Sequence, residues 1–314
     1  MSGRPADERV RTVFLGSGAF AVPALRRLAA HPRVGIVGVI TAPARPVGRH
    51  AVLTPTPVAA AAAELGLSPV LTPERLRARE AIAEVLALQP MLAVLADYGQ
   101  LVPPALLDLP HGALNLHPSP LPRHRGASPI PATIASGETR TAVSLMRMDA
   151  GLDTGPLVAQ ARVRLTGRET APELEARLAA LAADLLDQSL DAWLDGALLA
   201  VPQPSRGSTL TRPLRRLDGR LDPGRRAVEL ERLVRAYQPW PGTYAEIDGQ
   251  RLVVTASRVA PWAVGDVPGS LVRHGAEPAL ATSDGRLVLE RVTPPGRRPM
   301  TGAEWLRGRQ GPDI

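Results

Sequence analysis

Three polar side chains in otherwise apolar segments are the candidates for chemistry in this sequence. Asn115 and His117 lie in the run NLHPSPLPRHRGASPIP, and Asp153 lies in GLDTGP. Side chains of an extended segment alternate between two sides, so Asn115 and His117 point the same way and can face one reacting atom. Glycines beside Asp153 allow a close approach of the backbone to a ligand. The spacing therefore predicts an amide and an imidazole acting together, with a carboxylate that orients and charges the imidazole.

The segment after His117 is predicted to be a rigid loop. Pro118, Pro120 and Pro122 fix three φ angles and remove three N–H donors, which disfavours a helix. Rigidity at this position suits a loop that lines a cleft and holds a substrate.

The same residues could instead be turn residues, part of a serine hydrolase site or ligands of a metal. Taken singly, Asn, His or Asp beside Pro or Gly is more often a turn residue than a catalyst. A serine hydrolase built on His117 and Ser119 is disfavoured, because the chain has no Gly-x-Ser-x-Gly motif. A metal site built from His111, His117 and His124 lacks the i,i+4 spacing of helical ligands and any Cys, so no metal is expected.

The two motifs together resemble the signature of the folate-dependent formyltransferases. The resemblance implies a catalytic trio of Asn115, His117 and Asp153. The Ser-Leu-Leu-Pro folate contact of that family falls on Ser119, Pro120, Leu121 and Pro122. Pro120 departs from the usual Leu, which affects the local backbone rather than the reaction.

From RTVFLGSGAF to RAYQPWPGTYAEIDG and beyond, the chain resembles the methionyl-tRNA formyltransferase family. The resemblance implies transfer of a formyl group from 10-formyltetrahydrofolate, a co-substrate, to the amino group of initiator methionyl-tRNA. Two alternatives stay open: a formyltransferase for a small amine such as an amino-sugar nucleotide, and a non-catalytic RNA-binding relative. Basic charge in the last third and the PWPG segment favour tRNA, and an intact trio disfavours the non-catalytic relative.

Composition limits the class of protein and locates its charge. A chain of 314 residues suits two domains, and the absence of Cys excludes a disulfide framework and cysteine catalysis. The lack of a long apolar run predicts a cytoplasmic protein with no membrane partner. The protein is expected to be a monomer. All 37 basic residues are Arg; residues 206–314 hold 18 Arg and 12 acids, a balance of +6, whereas residues 1–205 hold 19 and 18, a balance of +1. Seven arginines cluster at the start of the basic region and predict attraction for phosphates: Arg206, Arg212, Arg215, Arg216, Arg220, Arg225 and Arg226.

The elements predict an α/β fold. A strand at 11–16, a Gly16-Ser17-Gly18 turn and a helix open a doubly wound, Rossmann-like domain over residues 1–200. The turn matches G-x-G-x-x-A, but no acid lies between Glu8 and Glu64 to bind a ribose, so we interpret it as structural or folate-adjacent. A helix is predicted over 74–89, started by Thr72 and Pro73. Asp97 and Tyr98 lie in the polar turn at the end of the segment 91–99, which begins as a buried strand, and are either folate contacts or turn residues.

Residues 201–208 are predicted to form a linker, and residues 209–314 a small domain of short strands. Asp248-Gly249 and Asp284-Gly285 predict hairpins there. The resemblance implies an OB-like, tRNA-binding barrel. Trp193 and Trp240 are predicted to be core residues, with base stacking as the weaker alternative for Trp240.

The loop 41–57 is too long to be a simple connection and is predicted to be functional. In the resembling family this loop meets the acceptor end of the tRNA. That assigns tRNA binding to Arg45 and Arg49, the only charged residues in the loop.

Overall fold

The computed structural model describes residues 9–48 and 51–309, which form two compact units. The first unit runs through Ala127 and also contains Thr141–Val163 and Glu175–Thr211. The second contains Ser128–Arg140, Arg164–Leu174 and the chain from Arg212 onward. An α/β unit therefore precedes a mainly antiparallel one, as predicted, although each unit is assembled from separate stretches of chain.

A seven-stranded sheet forms the centre of the first unit. In spatial order its strands are β10 (Leu157–Arg164), β9 (Arg140–Arg147), β7 (Ala113–His117), β6 (Leu92–Ala96), β1 (Val10–Gly16), β2 (Val34–Ile40) and β5 (Val70–Leu71). The strands from β7 to β5 pair in parallel, and β9 pairs with β7 antiparallel. Every residue of β6 is buried, as expected for a parallel strand covered on both faces. The carboxyl ends of β6 and β7 consequently lie at the same edge.

Helices accompany this sheet: α1 (Val22–Ala30), α2 (Pro57–Glu64), α3 (Arg79–Ala87), α4 (Pro104–Leu107) and most of α6 (Ala171–Leu194). The predicted helix start at Thr72 and Pro73 is wrong. The Gln100 side chain accepts from Leu76 N at 2.6 Å and donates to Pro73 O at 3.0 Å. These bonds satisfy the backbone of an irregular segment, so α3 begins only at Arg79. Trp193 is half-buried and donates its indole N–H to His111 O at 3.0 Å, so it is a packed residue with a polar anchor.

The glycine turn after β1 is closed to a ligand phosphate at Gly18. A Cβ on Gly18 would lie 1.7 Å from Asp97 Oδ2, so the carboxylate of this chain itself occupies the space next to the turn. Ser17 N donates to Asp97 O at 3.0 Å. This arrangement supports a structural role for the turn.

Two short ribbons complete the first unit. Residues 41–57, predicted as a loop, contain a hairpin of β3 (Arg45–Val47) and β4 (Val52–Thr54). The other ribbon pairs β8 (Arg125–Gly126) in parallel with β11 (Leu210–Thr211).

An antiparallel sheet dominates the second unit. Its strands are ordered β12 (Thr243–Ile247), β13 (Gln250–Ala260), β16 (Arg286–Thr293), β15 (Glu277–Ala281) and β14 (Leu271–His274), and β17 (Met300–Thr301) pairs with β16. Three helices belong to this unit: α5 (Pro129–Ala135), α7 (Ala227–Ala236) and α8 (Gly302–Arg307). Both predicted hairpins are confirmed; Asp248 and Gly249 have φ of 50° and 73°, the positive values that a two-residue type I′ turn requires.

Across residues 9–48 and 51–309, no helix combines the length and apolarity needed to cross a bilayer.

Candidate active site

Asn115 and His117 lie at the end of β7, on the face that does not carry the buried Leu114 and Leu116. Asn115 is half-buried, and its side-chain amide bonds to no other group in the part of the chain that the structure describes. The amide is therefore available to a ligand. His117 is only 5% exposed, so its ring is fixed by the groups around it.

Asp153 joins His117 from the loop between β9 and β10. Asp153 Oδ2 lies 3.7 Å from His117 Nδ1, and the same oxygen accepts from Gly126 N at 2.7 Å. The 3.7 Å separation is an ion-pair distance when the imidazole is protonated. The structure thus places the predicted imidazole and carboxylate side by side.

The other nitrogen of His117 is already engaged. His117 Nε2 lies 2.9 Å from the carbonyl oxygen of His124. A carbonyl only accepts, so Nε2 carries a proton and donates it there. A protonated His117 therefore directs one N–H to His124 and the other towards Asp153.

The predicted folate loop is held by internal hydrogen bonds. Ser119 is fully buried, and its hydroxyl donates to Arg123 O at 2.7 Å. Ser144 on β9 donates to Ser119 O at 2.7 Å and accepts from Leu121 N at 3.2 Å. Of the four predicted contact residues, Ser119, Leu121 and Pro122 are buried and Pro120 is half-buried.

Two residues that the sequence did not single out support the Asp153 loop. Gln203 Nε2 donates to the carbonyl oxygens of Asp153 at 2.8 Å and Gly155 at 2.7 Å. Arg125 donates to Gln203 Oε1 through Nε at 3.1 Å and Nη2 at 2.6 Å. Gln203 lies in the segment predicted as a linker, where Pro and Ser gave no sign of a role in the site.

Tyr98 follows β6 at the same sheet edge. Its hydroxyl oxygen is buried and has no hydrogen-bond partner among the described residues. Burial raises the pKa of Tyr98 to about 12.

Of the two arginines predicted to bind tRNA, only Arg45 lies within the described residues. Arg45 is exposed on β3, and no acidic group pairs with it in the described chain. Arg49 lies outside the described residues. Val52 and Leu53 on the opposite strand are 62% and 67% exposed, so the hairpin offers apolar side chains beside Arg45.

Most arginines of the basic cluster are paired with acids. The pairs are Arg212 with Asp218, Arg220 with Glu246, Arg225 with Glu229 and Arg226 with Asp284. Hydrogen bonding from Arg212 lowers the pKa of Asp218 to about 2. Within the described residues Arg206, Arg215 and Arg216 have no such ion pair, so they carry the free positive charge of the cluster.

Trp240 is 53% exposed, so its assignment to the core of the second unit is wrong. Its indole N–H points to Leu214 O at 3.4 Å, and the Arg216 guanidinium carbon lies 5.9 Å from the ring centroid. An exposed indole beside an arginine is a surface on which a base can stack.

No group of three or more His, Cys, Asp or Glu side chains close enough to hold an ion occurs in residues 9–48 and 51–309.

Comparison with known proteins identifies the family. The formyl transferase profile matches residues 10–190, and the profile of the formyl transferase C-terminal domain matches residues 213–310. The chain is 44% identical over 301 residues to a methionyl-tRNA formyltransferase of Roseiflexus sp. strain RS-1, covering 95% of this chain and 92% of that protein. It is 42% identical over 308 residues to the methionyl-tRNA formyltransferase of Chloroflexus aggregans, covering 97% and 99%.

Solved structures share the fold at lower identity. An N-formyltransferase from Helicobacter canadensis, in complex with folinic acid and dTDP-3-aminofucose, has a TM-score of 0.64 at 15% identity, covering 89% of this chain and 98% of that one. The methionyl-tRNA formyltransferase from Clostridium thermocellum has a TM-score of 0.53 at 13% identity, covering 82% and 95%. The two family profiles and the full-length relatives together show that the chain belongs to the formyl transferase family, and to the methionyl-tRNA formyltransferases within it.

Proposed function

We propose that this protein transfers the formyl group of 10-formyltetrahydrofolate to the amino group of methionine on initiator tRNA. The observation that carries the proposal is the pairing of His117 with Asp153 beside the unoccupied amide of Asn115, in a chain 44% identical to a methionyl-tRNA formyltransferase over 95% of its length. The proposed acceptor is a substrate of translation, which favours action in the cytoplasm.

The reaction needs no covalent enzyme intermediate. The neutral amine of methionine attacks the formyl carbon, and its nitrogen forms the new C–N bond. The formyl oxygen becomes an oxyanion in the tetrahedral intermediate. The bond from carbon to N10 of the folate then breaks, and the proton lost by the amine is delivered to N10.

Asn115 is proposed to donate its side-chain N–H to the developing oxyanion. An amide donor fixed on a strand costs no reorganisation at the moment of reaction, which is the source of oxyanion stabilisation. The half-buried position of Asn115 at the end of β7 suits this role.

His117 and Asp153 are proposed to act as a charged pair. Asp153 stabilises the protonated imidazole, whose positive charge stabilises the oxyanion. Because Nε2 already donates to His124 O, direct donation from His117 to the oxyanion requires that this bond be exchanged. Asp153 is also proposed to relay the proton from the amine towards N10, through water.

Binding of the two substrates is proposed to use separate surfaces. The folate is proposed to lie along Ser119, Pro120, Leu121 and Pro122, of which Pro120 is half-buried and the other three are buried. Arg45 and Arg49 contact the acceptor end of the tRNA. The second unit, proposed to be an OB-like barrel, contributes Arg215, Arg216 and Trp240.

The decisive assay supplies 10-formyltetrahydrofolate with methionine-charged initiator tRNA and weighs the aminoacyl group by mass spectrometry. A gain of one formyl group on methionine supports the proposal, with charged elongator tRNA as the specificity control. A dTDP-amino sugar is offered in parallel. Formylation of the sugar without formylation of methionyl-tRNA contradicts the proposal in favour of a small-amine acceptor, and tRNA binding without any transfer favours a non-catalytic relative.

A further inference from the structure

We propose that Gln203 is a positioning residue that holds the Asp153 carboxylate beside His117, and that Arg125 holds Gln203 in turn. The inference rests on the proposed function, since it assigns a part in that reaction to a segment whose composition predicts a linker.

The side chain of Gln203 uses its full hydrogen-bonding capacity. Its two N–H groups donate to the carbonyls of Asp153 and Gly155 at 2.8 and 2.7 Å, and its oxygen accepts twice from Arg125 at 3.1 and 2.6 Å. A primary amide has two N–H donors and two acceptor lone pairs, so none is left over. The orientation of the amide is therefore unambiguous, because carbonyls accept and a guanidinium donates.

The backbone conformation of Asp153 is consistent with such an anchor. Its φ is 51°, in the left-handed region that few non-glycine residues adopt, although Asp tolerates it better than most. The neighbouring Gly155 is packed tightly, since a Cβ there would lie 1.9 Å from Arg147 O. The amide of Gln203 bonds the carbonyls of both residues and so fixes the turn from which the carboxylate projects.

The hydrogen bonds around Asp153 form a closed network that passes through the dipeptide Arg125-Gly126. The Arg125 side chain binds Gln203, and the next residue, Gly126, donates its N–H to Asp153 Oδ2 at 2.7 Å. Asp153 is thus held at its carbonyl by Gln203 and at its carboxylate by Gly126. Gly126 has a φ of 96°, and a Cβ there would lie 2.2 Å from Thr211 O, so this donor is fixed by β11.

The backbone before Gln203 is anchored as well. Val201 and Leu157 exchange two hydrogen bonds, Leu157 N to Val201 O at 2.7 Å and Val201 N to Leu157 O at 2.8 Å. This bridge joins the segment to the start of β10, directly after the Asp153 loop. The hydrogen bonds between Val201 and Leu157 therefore fix the position of Gln203 next to the Asp153 loop.

The test compares kcat, KM and pH profiles of the full-length parent with Gln203→Ala and Gln203→Glu. Glutamate keeps the length of the side chain and its acceptors for Arg125 but has no N–H for the two carbonyls. We expect kcat to fall roughly 10- to 100-fold in both variants, the scale of a displacement of about 1 Å in a reacting geometry. KM for the folate should change little, and the pH profile of kcat should move in the direction produced by Asp153→Asn. Gln188→Ala, which removes an exposed amide from α6, is the matched control.

A double-mutant cycle separates positioning from general damage. If Gln203 acts through Asp153, adding Gln203→Glu to Asp153→Asn should cost almost nothing further in kcat, whereas independent effects multiply. Thermal unfolding and binding of a folate analogue check that each variant is folded.

Nitrogen NMR of the His117 ring in the free protein does not depend on activity. The His117 signals should move in Gln203→Glu as they do in Asp153→Asn. The inference is overturned if His117 signals move only in Asp153→Asn, if kcat of Gln203→Glu stays within about threefold of the parent, or if the two losses multiply. A parent protein that transfers no formyl group contradicts the proposed function instead, and the NMR comparison still decides the position of Asp153.

Discussion

His117 is buried with both ring nitrogens directed at protein groups, whereas the Asn115 amide bonds to nothing within the described residues. The two residues are therefore suited to different tasks. In the proposed reaction Asn115 contacts the reacting oxygen, and His117 supplies positive charge.

Asn115→Ala is expected to lower kcat by on the order of 100-fold or more, the usual loss for one oxyanion donor. Binding of a folate analogue, measured by calorimetry, should barely change. His117→Ala is expected to cost a similar factor. Near-parental turnover in either variant contradicts the role assigned to that residue.

Asp153→Asn is expected to abolish most activity and to change the pH dependence of what is left. The amide keeps the size of the side chain but removes the negative charge 3.7 Å from His117 Nδ1. The measurement is kcat across a range of pH for both proteins. Two profiles of the same shape would contradict the pairing.

Tyr98→Phe is expected to leave the protein as stable as the parent or more stable, by up to about 1 kcal/mol, because it removes a buried hydroxyl without a protein partner. The raised pKa of Tyr98 also makes the stability of the parent depend on pH. In the parent the unfolded state ionises near 10.0 and the folded state near 12, so the parent loses stability as pH rises through that window.

The Phe variant lacks this loss, and chemical denaturation at neutral and alkaline pH measures it. Tyr244→Phe, in the second unit, is the control. A folate analogue that binds Tyr98→Phe much more weakly would instead assign the hydroxyl to the ligand.

The sequence predicted single residues with uneven success. The trio could be proposed from the sequence because its motifs resemble a known family and two of its members share one short strand, and its catalytic role stays a prediction. Gln203 was not accessible, because its contact with Asp153 spans 50 residues and depends on pairing of Val201 with Leu157. Trp240 was assigned to the core with base stacking as the weaker alternative, and only the fold shows that its ring is exposed.

At the level of elements, the predicted boundaries of secondary structure were wrong where side chains form hydrogen bonds with backbone groups. Gln100 holds residues 73–76 out of a helix, and a Pro-rich stretch taken for a loop forms the β3–β4 hairpin. The strands β1 and β6 were predicted from their apolar runs and the turns after them, whereas the order of the strands in the sheet was not predicted. Asp-Gly dipeptides located the hairpins of the second unit because the required φ values are local.

The β3–β4 hairpin gives a prediction for tRNA recognition. Arg45→Ala and Arg49→Ala should each reduce formylation of charged initiator tRNA, with loss of discrimination against elongator tRNA of roughly 1–3 kcal/mol if a base edge is contacted. Folate binding should be spared. Arg75→Ala, which removes an exposed arginine outside the hairpin, is the control. Equal effects of all three variants would indicate general electrostatics.

Trp240 gives a second prediction, for tRNA binding by the second unit. Trp240→Ala is expected to weaken tRNA binding by roughly 1–3 kcal/mol if a base stacks on the ring, and Arg216→Ala by less. Filter binding or fluorescence titration measures the change. Trp262→Ala is the control, because Trp262 is also exposed, at 40%, in the same unit. If Trp262→Ala costs as much as Trp240→Ala, stacking on Trp240 is contradicted.

For the whole molecule, the seven clustered arginines overstate the positive charge that this cluster offers to tRNA. Four of the seven clustered arginines are paired with acids, which leaves few cations for phosphate. We therefore expect the logarithm of tRNA affinity to fall with the logarithm of salt concentration with a slope of roughly −2 to −4, for about three to five phosphate contacts. A flat dependence contradicts electrostatic binding.

The five changes of unit along the chain, after Ala127, Arg140, Val163, Leu174 and Thr211, bear on how this protein can be rearranged. A gene fusion that exchanges only the last third would import α7 without α5, the helix it packs against. A fragment ending at Pro204 would lack β11, the partner of β8. A single crossover therefore separates elements that pack together within one unit, so we expect chimeras made in this way to be less stable than the parent, although the chain matches two separate family profiles.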